Sequence, residues 1–110
     1  MNILKPEFEH KDKRRKLTQV FTAHTKQVNL YYAKRGAVLG NHFHKETTEY
    51  FLVTRGVLRY NDSVSVLAGE AFVVHPLENH KLECLTDVTL VSFLTKPFDQ
   101  EKPDLWKKKR

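Results

Sequence analysis

The chain has 110 residues, of which 40% are hydrophobic and 29% charged, and a formal net charge of +6. That length suits one domain around one core, and a lone cysteine, Cys84, excludes an intrachain disulfide and a cysteine-rich zinc ribbon. No apolar run approaches the ~20 residues of a membrane span, and Met1 to His10 lacks the apolar centre of a signal peptide, so the expected location is the cytoplasm.

In chain order, a basic run from Lys11 to Lys16 precedes a series of short β-rich segments separated by turn residues. The predicted strands are Leu17 to Thr22, Gln27 to Lys34, Ala37 to His44, Glu49 to Thr54, Val57 to Tyr60, Ser63 to Leu67, Ala71 to His75, His80 to Leu85 and Val88 to Thr95. Arg55-Gly56 and Ala68-Gly69-Glu70 supply positive-φ turn positions, Tyr60-Asn61-Asp62-Ser63 a tight hairpin, Pro76 a strand stop and Thr86-Asp87 the last turn. About nine strands in about eighty residues, with no long amphipathic helix, predict a single all-β domain over residues 1 to 110, an antiparallel barrel or jelly roll spanning about 17 to 95. The ends are basic, in Lys11 to Lys16 and in Lys107-Lys108-Lys109-Arg110. Such runs are solvated faces or attractors of an anionic substrate. No helix-turn-helix, zinc finger or aromatic RNP strand is present, so nucleic acid is not an expected partner.

His42, His44 and Glu49 lie within one stretch between Gly36 and Gly56. Side chains at i and i+2 of a strand share a face, so His42 and His44 project together and Glu49 returns from the next strand. Two imidazoles and a carboxylate converging in this way form a metal-ligand pattern. His80 is a fourth candidate, because it opens an alternating run in which His80, Leu82 and Cys84 share the inward face. The alternative is a set of histidines that hydrogen-bond one another or a ligand. Cys84, on the same face, reads as a buried apolar residue rather than a nucleophile.

The spacing G-x5-H-x-H-x4-E-x6-G from Gly36 to Gly56, followed by Gly69 to His80, resembles the two motifs of the cupin superfamily, and specifically of the RmlC-like cupins. The second motif departs from the family's P-x-G-x-x-H, reading His75-Pro76-Leu77-Glu78-Asn79-His80 without the turn glycine. The resemblance implies an interior divalent metal ion, zinc, iron, manganese or nickel, held by His42, His44, Glu49 and His80. The flanks from Asp12 to Phe21, Gln27 to Leu30 and Phe98 to Asp104 further resemble the C-terminal cupin module of bifunctional capsular-polysaccharide enzymes that epimerise and then reduce a UDP-linked 4-keto sugar.

What this implies is a nucleotide-sugar epimerase or isomerase of polysaccharide biosynthesis, with the metal as Lewis acid. The acid or base is sought among His75, Tyr50, Tyr32, Lys45 and Glu46, of which His75 is the candidate catalytic residue because its strand ends at the His80 loop. The bland reading of His75 is a strand-end residue bonded to backbone. Two other classes stay open, a non-catalytic sugar- or ligand-binding cupin and an iron- or nickel-dependent dioxygenase. Tyr50 and Leu52 on the outer face of their strand, and apolar residues on both faces of Val88 to Leu94, predict a cover, either a homodimer partner or the N-terminal segment folded back. Trp106 is expected to dock the C-terminal segment on the barrel or to face a partner.

Overall fold

A computed structural model describes residues 1–108, so Lys109 and Arg110 of the basic C-terminal run lie outside the described residues. Its strands are β1 (Asn2–Leu4), β2 (Phe8–Lys11), β3 (Lys16–Gln19), β4 (Gln27–Ala33), β5 (Val38–His42), β6 (Glu49–Arg55), β7 (Val57–Tyr60), β8 (Val64–Leu67), β9 (Ala71–Val74), β10 (His80–Cys84) and β11 (Val88–Leu94). The nine predicted strands correspond to β3 to β11. β1 and β2 were not predicted: β1 is only three residues long, and β2, Phe8-Glu9-His10-Lys11, is polar but for Phe8.

The strands form three antiparallel sheets, ordered β1-β9-β6-β11-β4, β5-β10-β7-β8 and β2-β3. Of the expected barrel or jelly roll, the all-β antiparallel architecture is present, and among the described residues the sheets do not close into a barrel. β4 ends one large sheet and β5 the other, and the two edges do not pair. The result is a sandwich with an open side between β4 and β5. Among the described residues no helix is long and apolar enough to cross a membrane.

Alternation builds the core. Along β11, Val88, Leu90, Ser92 and Leu94 are buried, and along β6 Glu49, Phe51 and Val53 are buried. These face Phe72 and Val74 of β9 and, across the sandwich, Leu58, Val66 and Leu82. The Phe51 and Phe72 rings stack at 4.7 Å. Each fully buried Leu, Val or Phe contributes roughly 1.5–3 kcal/mol by leaving water. The β6–β7 turn requires glycine, since Gly56 has φ +89° and a Cβ there would sit 2.1 Å from the Asp87 carbonyl oxygen.

Outside the five-stranded sheet, Phe21 stacks on Tyr50 at 4.9 Å and meets Phe93 edge-on at 5.3 Å. The N-terminal segment therefore covers part of the apolar outer face, as one of the two alternatives required. Val28, Leu30 and Tyr32 on edge strand β4 remain exposed, Leu30 to 76%. The β2–β3 hairpin carries Phe8 and Leu17 on one face, both exposed.

Candidate metal centre

His42 reaches the interior only because β5 is irregular. Leu39 of β5 pairs with Leu82, and Gly40 with Lys81, but His80 pairs with His42 and not with Asn41. One extra residue is accommodated there as a β-bulge. Gly40 (φ 80°) and Asn41 (φ 67°) both take the left-handed conformation that this requires. Unbroken alternation from Leu39 would turn Asn41 inward and His42 outward, so the bulge aims the imidazole at the cavity. Gly40 also allows close approach, because a Cβ on it would lie 2.9 Å from the His80 carbonyl oxygen.

The ring nitrogens of His42, His44 and His80 gather within 4.8 Å of one another. Glu49 lies beside this trio, with its Oε1 3.1 Å from His44 Nε2 and 3.8 Å from His80 Nε2. The structure thus gathers the three histidines, with Glu49 against two of them. His44, Glu49 and His80 are buried and His42 half-buried. Burial pushes His80 down to about 4, against the pull of Glu49. It also lowers His42, with the neighbouring His44 adding to the effect. Both are therefore neutral near pH 7, the form that offers a lone pair to a metal. His44 is raised; burial alone would lower it, but its hydrogen bonds to Glu49 and to the Asp104 carbonyl outweigh that.

The donor set fits a divalent cation. His44 Nδ1 lies 2.6 Å from the main-chain oxygen of Asp104, which can only accept, so Nδ1 carries the proton. In neutral His44 the Nε2 lone pair then faces the Glu49 carboxylate, two acceptors 3.1 Å apart that need a proton or a cation between them. Among the described residues His80 Nδ1 has no hydrogen-bond partner within normal geometry. Zinc takes nitrogen donors at ~2.1 Å, roughly 3.4 Å from one another, which the ring nitrogens reach by a contraction on the order of 1 Å.

This cluster lies in a cavity of about 670 Å³ at the open side of the sandwich. Leu39, Phe51, Leu82, Leu90 and Leu94 supply apolar walls, and the inward residues Gln27, Asn29 and Tyr31 of β4 a polar one. The Gln27 amide donates to Asn29 Oδ1 at 3.0 Å. His75 is not among the residues lining the cavity; it is exposed, with Nε2 3.2 Å from Asn2 Oδ1. Nor do the other sequence candidates line it. Tyr50 stacks on Phe21, Tyr32 is exposed on the outer face, Glu46 pairs with Lys96, and the Lys45 ammonium sits 3.6 Å over the Trp106 ring. Tyr31, one residue from Tyr32, was not among the candidates and does line the cavity. The strand register decides between them: Tyr31 pairs with inward-facing Leu90, whereas Tyr32 pairs with Thr89.

Asp104 was also missed. Its carboxylate accepts from the N–H of Lys45 (2.8 Å), Glu46 (2.9 Å) and Thr47 (3.0 Å), from Thr47 Oγ1 (2.9 Å) and from Trp106 Nε1 (3.0 Å). Phe43 and Trp106 exchange two main-chain hydrogen bonds, at 2.8 and 2.9 Å. The expected docking of the C-terminal segment through Trp106 is present, and it falls on the ligand loop itself.

No protein-family model and no curated protein matches the chain. Solved structures do. The capsular polysaccharide assembling protein CapF from Staphylococcus aureus is 27% identical over 91% of this chain, with a TM-score of 0.63. The chain spans only 33% of the length of CapF. The 3,4-ketoisomerase QdtA from Thermoanaerobacterium thermosaccharolyticum, solved as a mutant in complex with TDP-4-keto-6-deoxyglucose, matches 97% of this chain and 86% of its own at TM-score 0.73 and 16% identity. The dTDP-4-dehydrorhamnose 3,5-epimerase from Sulfolobus tokodaii matches 84% of this chain and 69% of its own at TM-score 0.66 and 20% identity. In fold, the chain is similar to these three proteins, consistent with the resemblance to the RmlC-like cupins.

Proposed function

We propose that the chain is a cupin domain that binds a nucleotide-linked keto sugar in its cavity and epimerises or isomerises it beside a divalent metal held by His42, His44, Glu49 and His80. The observation that carries this reading is the convergence of three imidazoles and one carboxylate in a cavity of about 670 Å³. Likeness in fold to enzymes described as a sugar ketoisomerase and a sugar epimerase supports it. A bound divalent cation would supply Lewis-acid stabilisation of the negative charge that develops on a ketone oxygen when the adjacent C–H proton leaves.

The chain's own residues do the rest. Phe51, Leu82 and Leu90 exclude water from the reacting carbon, and the amides of Gln27 and Asn29 bind sugar hydroxyls. Among the described residues Tyr31 is the titratable side chain lining the cavity outside the four-residue cluster. As the phenolate it is the proposed base: it takes the C–H proton on the face it lines and passes it to solvent, and water returns a proton on the opposite face with no net redox change. A homodimer over the outer faces of β6 and β11 is part of this reading, and the exposed Val28, Leu30 and Tyr32 on the adjoining edge strand β4 support it.

The test is elemental analysis of protein purified without chelators, followed by deuterium exchange into a dTDP-4-keto-6-deoxy sugar. About one equivalent of metal, lost in His42→Ala with the fold intact, and exchange lost in Tyr31→Phe, are expected. Metal without exchange would leave a binding protein, a reading favoured by the single candidate proton carrier in the cavity. Folded protein that cannot be loaded with metal would sink the metal enzyme.

A further inference from the structure

The stretch from Pro97 to Trp106 runs as a strap across the open side of the sandwich. Phe98 and Leu105 line the cavity, and the Phe98 N–H donates to Gln27 Oε1 at 2.7 Å. Between them Asp104 touches the ligand cluster twice over. Its main-chain oxygen holds the Nδ1 proton of His44, and its carboxylate gathers three consecutive N–H groups of the loop that joins His44 to Glu49. No regular strand holds that loop, since β5 ends at His42 and β6 starts at Glu49. A metal-ligating histidine is oriented by whatever its second nitrogen bonds, and such partners set affinity as well as tautomer.

We propose that Asp104 is a positioning residue of the metal centre, and that docking of the 97–106 strap on the ligand loop sets the metal affinity of His42, His44, Glu49 and His80. The inference rests on the metal reading above. With the strap seated, His44 is locked as the Nδ1–H tautomer with Nε2 turned to Glu49. With the strap released, loop 43–48 loses five hydrogen bonds from its own backbone and Thr47, and His44 loses the acceptor that selects its tautomer.

The experiment is competition for Zn(II) or Co(II) between the full chain and a chromophoric chelator. Asp104→Asn keeps the side-chain volume but turns an amide N–H₂ toward the loop donors, and a 10- to 100-fold loss of affinity is expected, typical of outer-sphere partners. Phe21→Ala is the control for stability alone, because Phe21 packs on the outer face against Tyr50 and Phe93. It is expected to hold metal within about twofold of the parent protein at equal or greater thermal destabilisation. Parental affinity in Asp104→Asn, or an equal loss in Phe21→Ala, overturns the proposal. If Asp104→Asn does not fold, Trp106→Ala replaces it, with about a fivefold loss expected and unchanged affinity overturning.

A second readout needs no metal. Imidazole nitrogen NMR of the metal-free chain is expected to show a protected Nδ1–H on His44 that disappears in Asp104→Asn, and its persistence overturns the proposal. A parent protein that takes up neither metal would defeat the metal reading, and the His44 resonance would then decide the strap's role by itself.

Discussion

The β6–β11 pair and the loop between His42 and Glu49 lie side by side, and they are held together in opposite ways. In β6 and β11 the register runs from Leu94↔Glu49 to Thr89↔Arg55, with alternate side chains buried and one irregularity at Thr89/Leu90. Apolar area leaving water holds that pair, and each residue's role follows from its own position. The ligand loop has little apolar content of its own and is held by hydrogen bonds that its N–H groups donate to Asp104, about sixty residues away in sequence. A core built on area tolerates small shifts, whereas a cradle built on directed hydrogen bonds depends on single atoms.

The largest effect should come from the area side. Leu90→Ala removes a fully buried side chain and is expected to lower unfolding free energy by about 2–5 kcal/mol in urea titration. A loss below about 1 kcal/mol would show the site to be less tightly packed than its burial implies. Gly40→Ala acts on the boundary between the two regions. A left-handed Cβ costs about 1–2 kcal/mol, and this one would also lie 2.9 Å from the His80 carbonyl oxygen. Metal uptake should fall with stability, and a variant that kept both would disprove the role given to the bulge.

Acid titration separates the two kinds of support. Burial tends to raise the Asp104 carboxyl, but the N–H groups of Lys45 and Glu46 with the donors on Thr47 and Trp106 outweigh it and hold it well below the usual range. A carboxyl depressed on folding stabilises above its unfolded value of ~3.9 and loses that contribution as pH falls toward its folded value. Thermal melts should therefore drop more steeply below about pH 4 in the parent protein than in Asp104→Asn. Parallel curves would mean that the cradle contributes no net stability. His75→Ala should have the smallest effect, within about ±0.5 kcal/mol in stability and none on deuterium exchange, since the imidazole is exposed outside the cavity.

The regular region was legible because two-residue periodicity reports burial directly. Glu49-Tyr50-Phe51-Leu52-Val53 divides between faces as its pattern predicts, and Phe51 and Val53 are buried with Glu49. Spacing also identified the four ligand candidates, but the route by which His42 turns inward was hidden, because two successive left-handed residues at Gly40-Asn41 shift the alternation. Tyr31 could have been preferred to Tyr32 by counting inward from Gln27 and Asn29 along β4. Asp104 closes the Phe98 to Asp104 flank but carried no local signal of its hydrogen-bonding role. An aspartate between proline and leucine near a basic run reads as surface, and only a tertiary hydrogen-bond network distinguishes it. The open side of the sandwich was equally invisible, since strand patterns do not say which edges pair.

The sixty-residue separation of His44 from Asp104 also has a consequence in time. During synthesis the histidines and Glu49 emerge well before the segment that seats them, and at roughly 5–20 residues per second the gap lasts several seconds. Closing so long a loop adds little entropy beyond closing a shorter one, because the cost grows only with the logarithm of its length. The delay therefore falls on assembly order rather than on final stability, and the sandwich can form before its ligand loop is fixed. On the ribosome, the centre would acquire its shape after the strands that surround it.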